Sequence, residues 1–332
     1  MSLQPPSICV WYVVILGFWT FGVAQPPQAA SKGPAITFLL QWGKPGKEPG
    51  EFQSPIGIAI NDKDEIFVGE FKNNRVQKFT SRGKFLSQIP VEKMPGGLAV
   101  DKDGRIYVAP LMDHKICVYD ETGKLLRTWG KHGKSDGEFD QPGGIAIAKD
   151  GTVYVADQVN RRVQRFTHEG KFLGKWGEYG SKPGQFDGVD GLKNRTGGPH
   201  FLAFDSVGNV FTTEGKLGRI QKFTAHGKPL LAFGSNATEP GGFGGRKILP
   251  GPIGIAVDRW NRIWVSSTNN RVQCFSPEGK HLFGFESLEP GDKQGQFHTP
   301  HALAFDSQSH LYVVDAQNQR IQKFAVPPGD KK

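Results

Sequence analysis

Six copies of one phrase run through this chain, opening at Pro55, Pro95, Pro142, Pro199, Pro252 and Pro300. Each proline leads into a short apolar strand, a second strand, then Arg-Val-Gln-Lys-Phe or a variant of it, then a tight turn and a closing strand. The spacings of 40, 47, 57, 53 and 48 residues fall around the period of a four-stranded propeller blade. A unit of that size cannot bury its own apolar face, so neighbouring copies must stack and share a core. Length alone, 332 residues, would suggest two domains. The repeat replaces that expectation with one ring.

The third copy shows the layout. Strand a covers about Gly144–Ala148, b Val153–Ala156, c Arg162–Phe166 and d Phe172–Trp176. Strands b and c carry β-branched and aromatic residues, which suit a pleated surface. Lys149-Asp150-Gly151 and His168-Glu169-Gly170 supply the tight hairpins. The sixth copy stops after strand c, at Ile321-Gln322-Lys323-Phe324, and runs into Pro327-Pro328. Ahead of the first copy, Phe38-Leu39-Leu40-Gln41-Trp42-Gly43 reads as a strand d with no unit of its own. Pairing the two predicts an all-β, six-bladed β-propeller of four-stranded antiparallel blades, closed by an N-terminal strand completing the last blade. Closure removes two open sheet edges, and a monomer is expected.

Three recurrent signatures accompany the strands: the proline followed by apolar residues, an Asp-x-x-Asn-x-Arg stretch (Asp157 to Arg162; Asp315 to Arg320), and Gly-x-Phe ahead of the proline (Phe52, Phe139, Phe186, Phe297). On these the chain resembles the NHL repeat family of six-bladed propellers, over about residues 36–326. The resemblance speaks to fold; propellers host many activities.

Residues 8–23 form an uncharged apolar run ending at Gly22-Val23-Ala24. That suits a signal peptide over 1–24, cut after Ala24, followed by a Pro- and Ala-rich linker over 25–35. The propeller then fills 36–326, with a tail at 327–332. No basic residue precedes the run, so an uncleaved membrane anchor is the alternative. An exported location is expected: periplasmic, extracellular or cell-surface. Cys117 and Cys274 fall on strand c of opposite blades and on opposite sheet faces, which excludes an intramolecular bridge. The net charge of +9 raises nucleic acid as a partner. Against it, Lys84, Lys124, Lys171, Lys228 and Lys280 occupy the same c–d turn and spread charge around a rim. An exported chain would also rarely meet nucleic acid.

A meander places the d–a and b–c connections on one face and the short a–b and c–d hairpins on the other. The long loops, roughly 43–54, 130–141, 177–198, 234–251 and 286–299, are all d–a. Function is therefore expected on that face, and little from the hairpin face. Blade two departs most, with a short lead-in and Pro110-Leu111-Met112-Asp113-His114-Lys115. Blade four carries an extended loop through Asp190 and the turn Glu214-Gly215-Lys216. Asp113, His114, Lys115, Asp190 and Lys216 are the candidate ligand contacts, for a peptide, glycan or protein partner. Arg75, Arg162, Arg219, Arg271 and Arg320 recur in nearly every copy, so they are read as holding loop carbonyls or the acid ending strand b. Trp42, Trp129 and Trp176 are read as packing between blades.

At the top of strand a, Ile56, Gly96, Gly143 and Ile253 follow their prolines, whereas copies four and six have His200 and His301. Two imidazoles converging on a channel can line it as polar contacts or hold a metal. The placement looks like the peptidyl-α-hydroxyglycine α-amidating lyases, a branch that holds zinc with Pro-His pairs on alternate blades. That resemblance implies a third His at blade two, where Gly96 stands, with His114 as an outlying substitute. It also implies a Tyr in the b–c turn of blade three, where Gln158-Val159-Asn160 stands, and an Arg in the equivalent turn of blade four, where Glu214-Gly215-Lys216 stands. Zinc or calcium in the channel follows only from this branch, and no cofactor is otherwise required. The motifs of other enzyme classes, Cys-x-x-Cys, His-Glu-x-x-His and Gly-x-Ser-x-Gly, are absent. A non-catalytic binding module is the first reading, and a metal-dependent lyase or hydrolase the alternative.

Overall fold

A computed structural model describes residues 35–186, 197–245 and 251–329. Every regular element in it is a strand, and the strands form six four-stranded antiparallel sheets. Blade one comprises Pro55–Ile60, Ile66–Glu70, Arg75–Phe79 and Phe85–Pro90. Blade two comprises Pro95–Val100, Ile106–Pro110, Ile116–Tyr119 and Leu125–Trp129. In blade three the strands are Pro142–Ile147, Val153–Asp157, Arg162–Phe166 and Phe172–Trp176. Strand a thus begins at the proline itself, two residues ahead of the sequence expectation; proline is tolerated there because a strand's first residue can forgo its donor. Blade six takes Pro300–Phe305, His310–Asp315 and Arg320–Ala325 from the C-terminal end of the chain. Its fourth strand is Thr37–Trp42, with Phe38 opposite Phe324 and Trp42 opposite Ile321.

The core lies between blades. A strand-c phenylalanine collects two aromatic neighbours: one from the loop leading into its blade, and one ending strand d of the previous blade. Phe79 receives Phe52 and Trp42, Phe166 receives Phe139 and Trp129, and Phe223 receives Phe186 and Trp176, with ring centroids 5.6–5.9 Å apart. The Gly-x-Phe signature is therefore a packing device, and the tryptophans do pack between blades. Each tryptophan lies on the glycine of the next c–d turn: a Cβ at Gly83, φ +75°, would sit 2.8 Å from Trp42. Only glycine meets both demands. Cys117 and Cys274 are buried free thiols, consistent with their opposite placement.

The recurrent arginines bind the long loops to the sheets. Arg162 is 5% exposed; its Nε donates to Asp157, and its terminal nitrogens donate to the carbonyls of Lys134, Ser135 and Glu138 at 2.7–2.8 Å. Gln164 donates to the Glu138 carbonyl as well, and Asn160 to that of Gly133. Arg75 with Glu70 and Arg320 with Asp315 repeat the pattern. In blade five Ser267 replaces the acid, and Arg271 holds the carbonyls of Thr238, Glu239 and Glu286. Blade two has none of this. Pro110, Lys115 and Cys117 stand where acid, Arg and Gln stand elsewhere, and the loop they would hold has shrunk to the few residues between Pro90 and Pro95.

Because Arg162→Ala would strand the Asp157 carboxylate in the core, it is expected to cost about 3–5 kcal/mol. Lys115→Ala, at the same position of blade two with only a half-exposed pair to Glu92, is expected to cost no more than about 1 kcal/mol. Denaturant unfolding of both variants checks the contrast. Equal losses would mean the lock does not carry the difference.

Candidate functional site

Strand a brings His200 and His301 to the channel mouth. Each ring is partly exposed but enclosed by the surrounding blades, and burial pulls each imidazole down from 6.5 to about 4. His301 is lowered further by the neighbouring charge of His200. Both rings are therefore neutral at pH 7. His301 Nδ1 is buried and has no hydrogen-bond partner.

Two features of the mouth come from outside the histidines. Gly143 leaves a slot on blade three that the Gln158 side chain fills, with its amide nitrogen 2.1 Å from where a Cβ would be. The same nitrogen lies 3.5 Å from His200 Nδ1. One residue further along strand a, four blades have glycine and blade six has Ala302, but blade four has Phe201. Phe201 reaches across to pack edge-on against His301, 6.0 Å between centroids, and against the core shared by blades one and six. It forms a floor beneath the histidines. The Thr213 hydroxyl accepts from Phe201 N and donates to the Ile253 carbonyl, and Ser266 donates to the His301 carbonyl. These hydroxyls tie adjacent a strands together and fix both histidine backbones.

At blade two a Cβ on Gly96 would come 3.3 Å from the Ala109 carbonyl and 4.0 Å from Leu111. The position that a three-histidine zinc set requires is thus a backbone glycine backed by an aliphatic side chain. Only His200 and His301 match positions of such a set, and among the described residues no histidine stands at the third position.

The remaining candidates are dispersed. Asp113, His114 and Lys115 share the b–c turn of blade two, where Lys115 pairs with Glu92 at 3.4 Å. Lys216 lies two blades away, its carbonyl accepting from Asn236. Asp190 lies outside the described residues. His114 groups with His132 and Asp140 instead of with the channel pair. Its Nδ1 accepts from Gln141 N at 3.1 Å, a job done by Asn74 for Met94, Asn270 for Thr299 and Gln319 for Ser54. All four acceptors have left-handed backbones, φ +51° to +68°.

A cavity of about 620 Å³ opens on the hairpin face between blades one, two and three, lined by residues including Asn61, Asp101, Arg105, Lys149 and His168. It is remote from the histidines, and its central charges are spent on each other: Arg105 pairs with Asp101 and Asp103 at 2.6 and 2.7 Å. The a–b turns of blades one, two and three line the cavity.

The NHL repeat model matches residues 52–79 and 139–166, so the chain carries NHL repeats on a six-bladed propeller. Among known proteins it is similar to rat peptidylglycine alpha-amidating monooxygenase, 34% identical over 133 residues. That stretch is 38% of this chain and only 13% of the rat protein. A protein of unknown function from Bacteroides thetaiotaomicron superposes with a TM-score of 0.68 at 18% identity, covering 88% of this chain and 76% of that one. Virginiamycin B lyase from Staphylococcus aureus gives 0.57 at 16%, covering 83% and 96%. At those identities the likeness is one of fold.

The depressed histidines set a sign for pH dependence. An unfolded chain takes up protons at His200 and His301 below about 6.5, whereas the folded chain takes them up only near 4. Stability is therefore expected to fall as pH drops from about 6.5 towards 4. Melting temperatures across that range should fall less steeply for His200→Gln/His301→Gln, and an unchanged slope would refute the assignment.

Proposed function

We propose that the chain is an exported, non-catalytic NHL-type propeller that captures a peptide, glycan or protein partner on its loop-rich face, with the channel mouth as the anchor. The observation that carries this reading is Gly96. An amidating-lyase zinc set would need its third imidazole there, and Leu111 lies against the glycine instead. The mouth offers a small polar set beside an aromatic ring: two neutral imidazoles and the Gln158 amide, with Phe201 against His301. Such a set can hydrogen-bond a partner's polar tip while excluding water. The described parts of the long loops around it are held to the sheets by strand-c arginines, which lowers the ordering cost of binding. Export rests on the apolar run of residues 8–23, which lies outside the described residues.

A metal-dependent lyase is the second reading. It is favoured by the buried, unpartnered Nδ1 of His301 and by the similarity to the amidating monooxygenase.

Two measurements separate them. On peptide and glycan arrays, His200→Gln/His301→Gln is expected to lose at least about tenfold in retention, the equivalent of roughly 1.4 kcal/mol, while remaining folded at pH 7.5. In the same preparations, turnover of a peptidyl-α-hydroxyglycine by the wild type, together with zinc that disappears from the His200→Ala/His301→Ala protein, would overturn the binding reading in favour of the lyase.

A further inference from the structure

We infer that His114, His132 and Asp140 form a zinc site on the loop-rich face, carried by blades two and three and separate from the histidines of blades four and six. One ligand atom from each residue lies within 4.8 Å of the others. Asp140 Oδ1 is 3.5 Å from His114 Nδ1, and Asp140 Oδ2 is 3.7 Å from His132 Nε2. The two imidazoles meet edge to face with centroids 4.4 Å apart. A tetrahedral site built on metal–ligand bonds of about 2.0–2.2 Å spaces its ligands by roughly 3.4 Å, so each oxygen of Asp140 stands within reach of a cation shared with one of the two imidazoles.

The three residues are held where they are for reasons independent of a metal. His114 sits in the left-handed turn of blade two. His132 pairs through its backbone with Phe139, which is fully buried, so its position is fixed while its side chain stays 64% exposed. Arg162 grips the carbonyls of Lys134, Ser135 and Glu138 in the same loop. A preset site of this kind loses little freedom on binding a cation.

The choice of residue at position 114 points the same way. In sister blades the bond to the next blade's amide is accepted by Asn74 and Asn270, so an amide side chain suffices for that job. An imidazole accepts the same bond from Gln141 through a nitrogen that can also bind a metal. A cation at Nδ1 competes with the Gln141 amide for the lone pair, exchanging one hydrogen bond for a metal bridge between blades two and three. Two imidazoles and one carboxylate suit zinc better than calcium or magnesium, which favour all-oxygen shells. Three protein ligands leave a fourth position, on the exposed side of His132, for water or an anionic group of a bound partner.

The site is independent of the role given to the channel, and the test keeps the two apart. Zinc titration of the full chain by calorimetry is expected to give one site that persists in the His200→Ala/His301→Ala protein. His132→Ala, at an exposed position, should weaken zinc binding at least about tenfold. His114→Asn should do the same while leaving the zinc-free melting temperature unchanged, because asparagine keeps the bond to Gln141. Magnesium should neither bind nor displace zinc. A wild type that takes up no zinc, or zinc binding that is unaltered by both His132→Ala and His114→Asn, would overturn the site.

Discussion

A guanidinium on strand c, buried in most blades, holds the described part of each long loop to its blade, and the loop-rich face depends on that bond set. A d–a loop of a dozen residues exposes carbonyls that a sheet cannot satisfy. Arg162 meets three of them at once because its planar fork presents several donors in fixed directions. Its charge is tolerable in the core only because Asp157 lies 2.8 Å away and is itself bonded by Asn160, Gln164 and the Asp140 amide. Removing either partner leaves a charge without solvent or counter-ion. The described parts of the loops are therefore tied to the sheets around the channel mouth.

Blade two lacks the lock, and its neighbourhood is rebuilt accordingly. Acid, arginine and glutamine are all replaced, the loop is short, and the loop phenylalanine has gone with it. Tyr119 takes the strand-c aromatic position and accepts from the Glu92 amide, and Ile89 takes the place of the tryptophan. The d–a connection is shortest here, beside half-exposed Met112 and the His114 turn.

The blade count, the strand order and the structural duty of the arginines were legible because each is stated five or six times over. A residue repeated in register has a scaffold role that can be checked against its copies. The candidate site was legible only in part. His200 and His301 stood out as departures from Ile and Gly at the same position. Gln158 did not, because its importance comes from filling the space that Gly143 vacates on the same blade. Phe201 follows His200 directly, but its reach across the axis is a property of the closed ring. His132 and Asp140 lie eight residues apart in a loop whose fold is set by Arg162, a partner distant in sequence. His114 was read as a ligand contact or an outlying channel ligand. It serves first as the acceptor that joins blade two to blade three.

Each arginine grips the loop that leads into its own blade, so the device is complete within a single repeat. Damage to one copy does not spread: blade two has lost its lock, its loop and its aromatic trio, while the blades on either side keep theirs. A ring assembled this way behaves as six nearly independent units joined by neighbour contacts. It can accumulate change one unit at a time, and a single relaxed repeat becomes room in which new chemistry can be tried without endangering the whole.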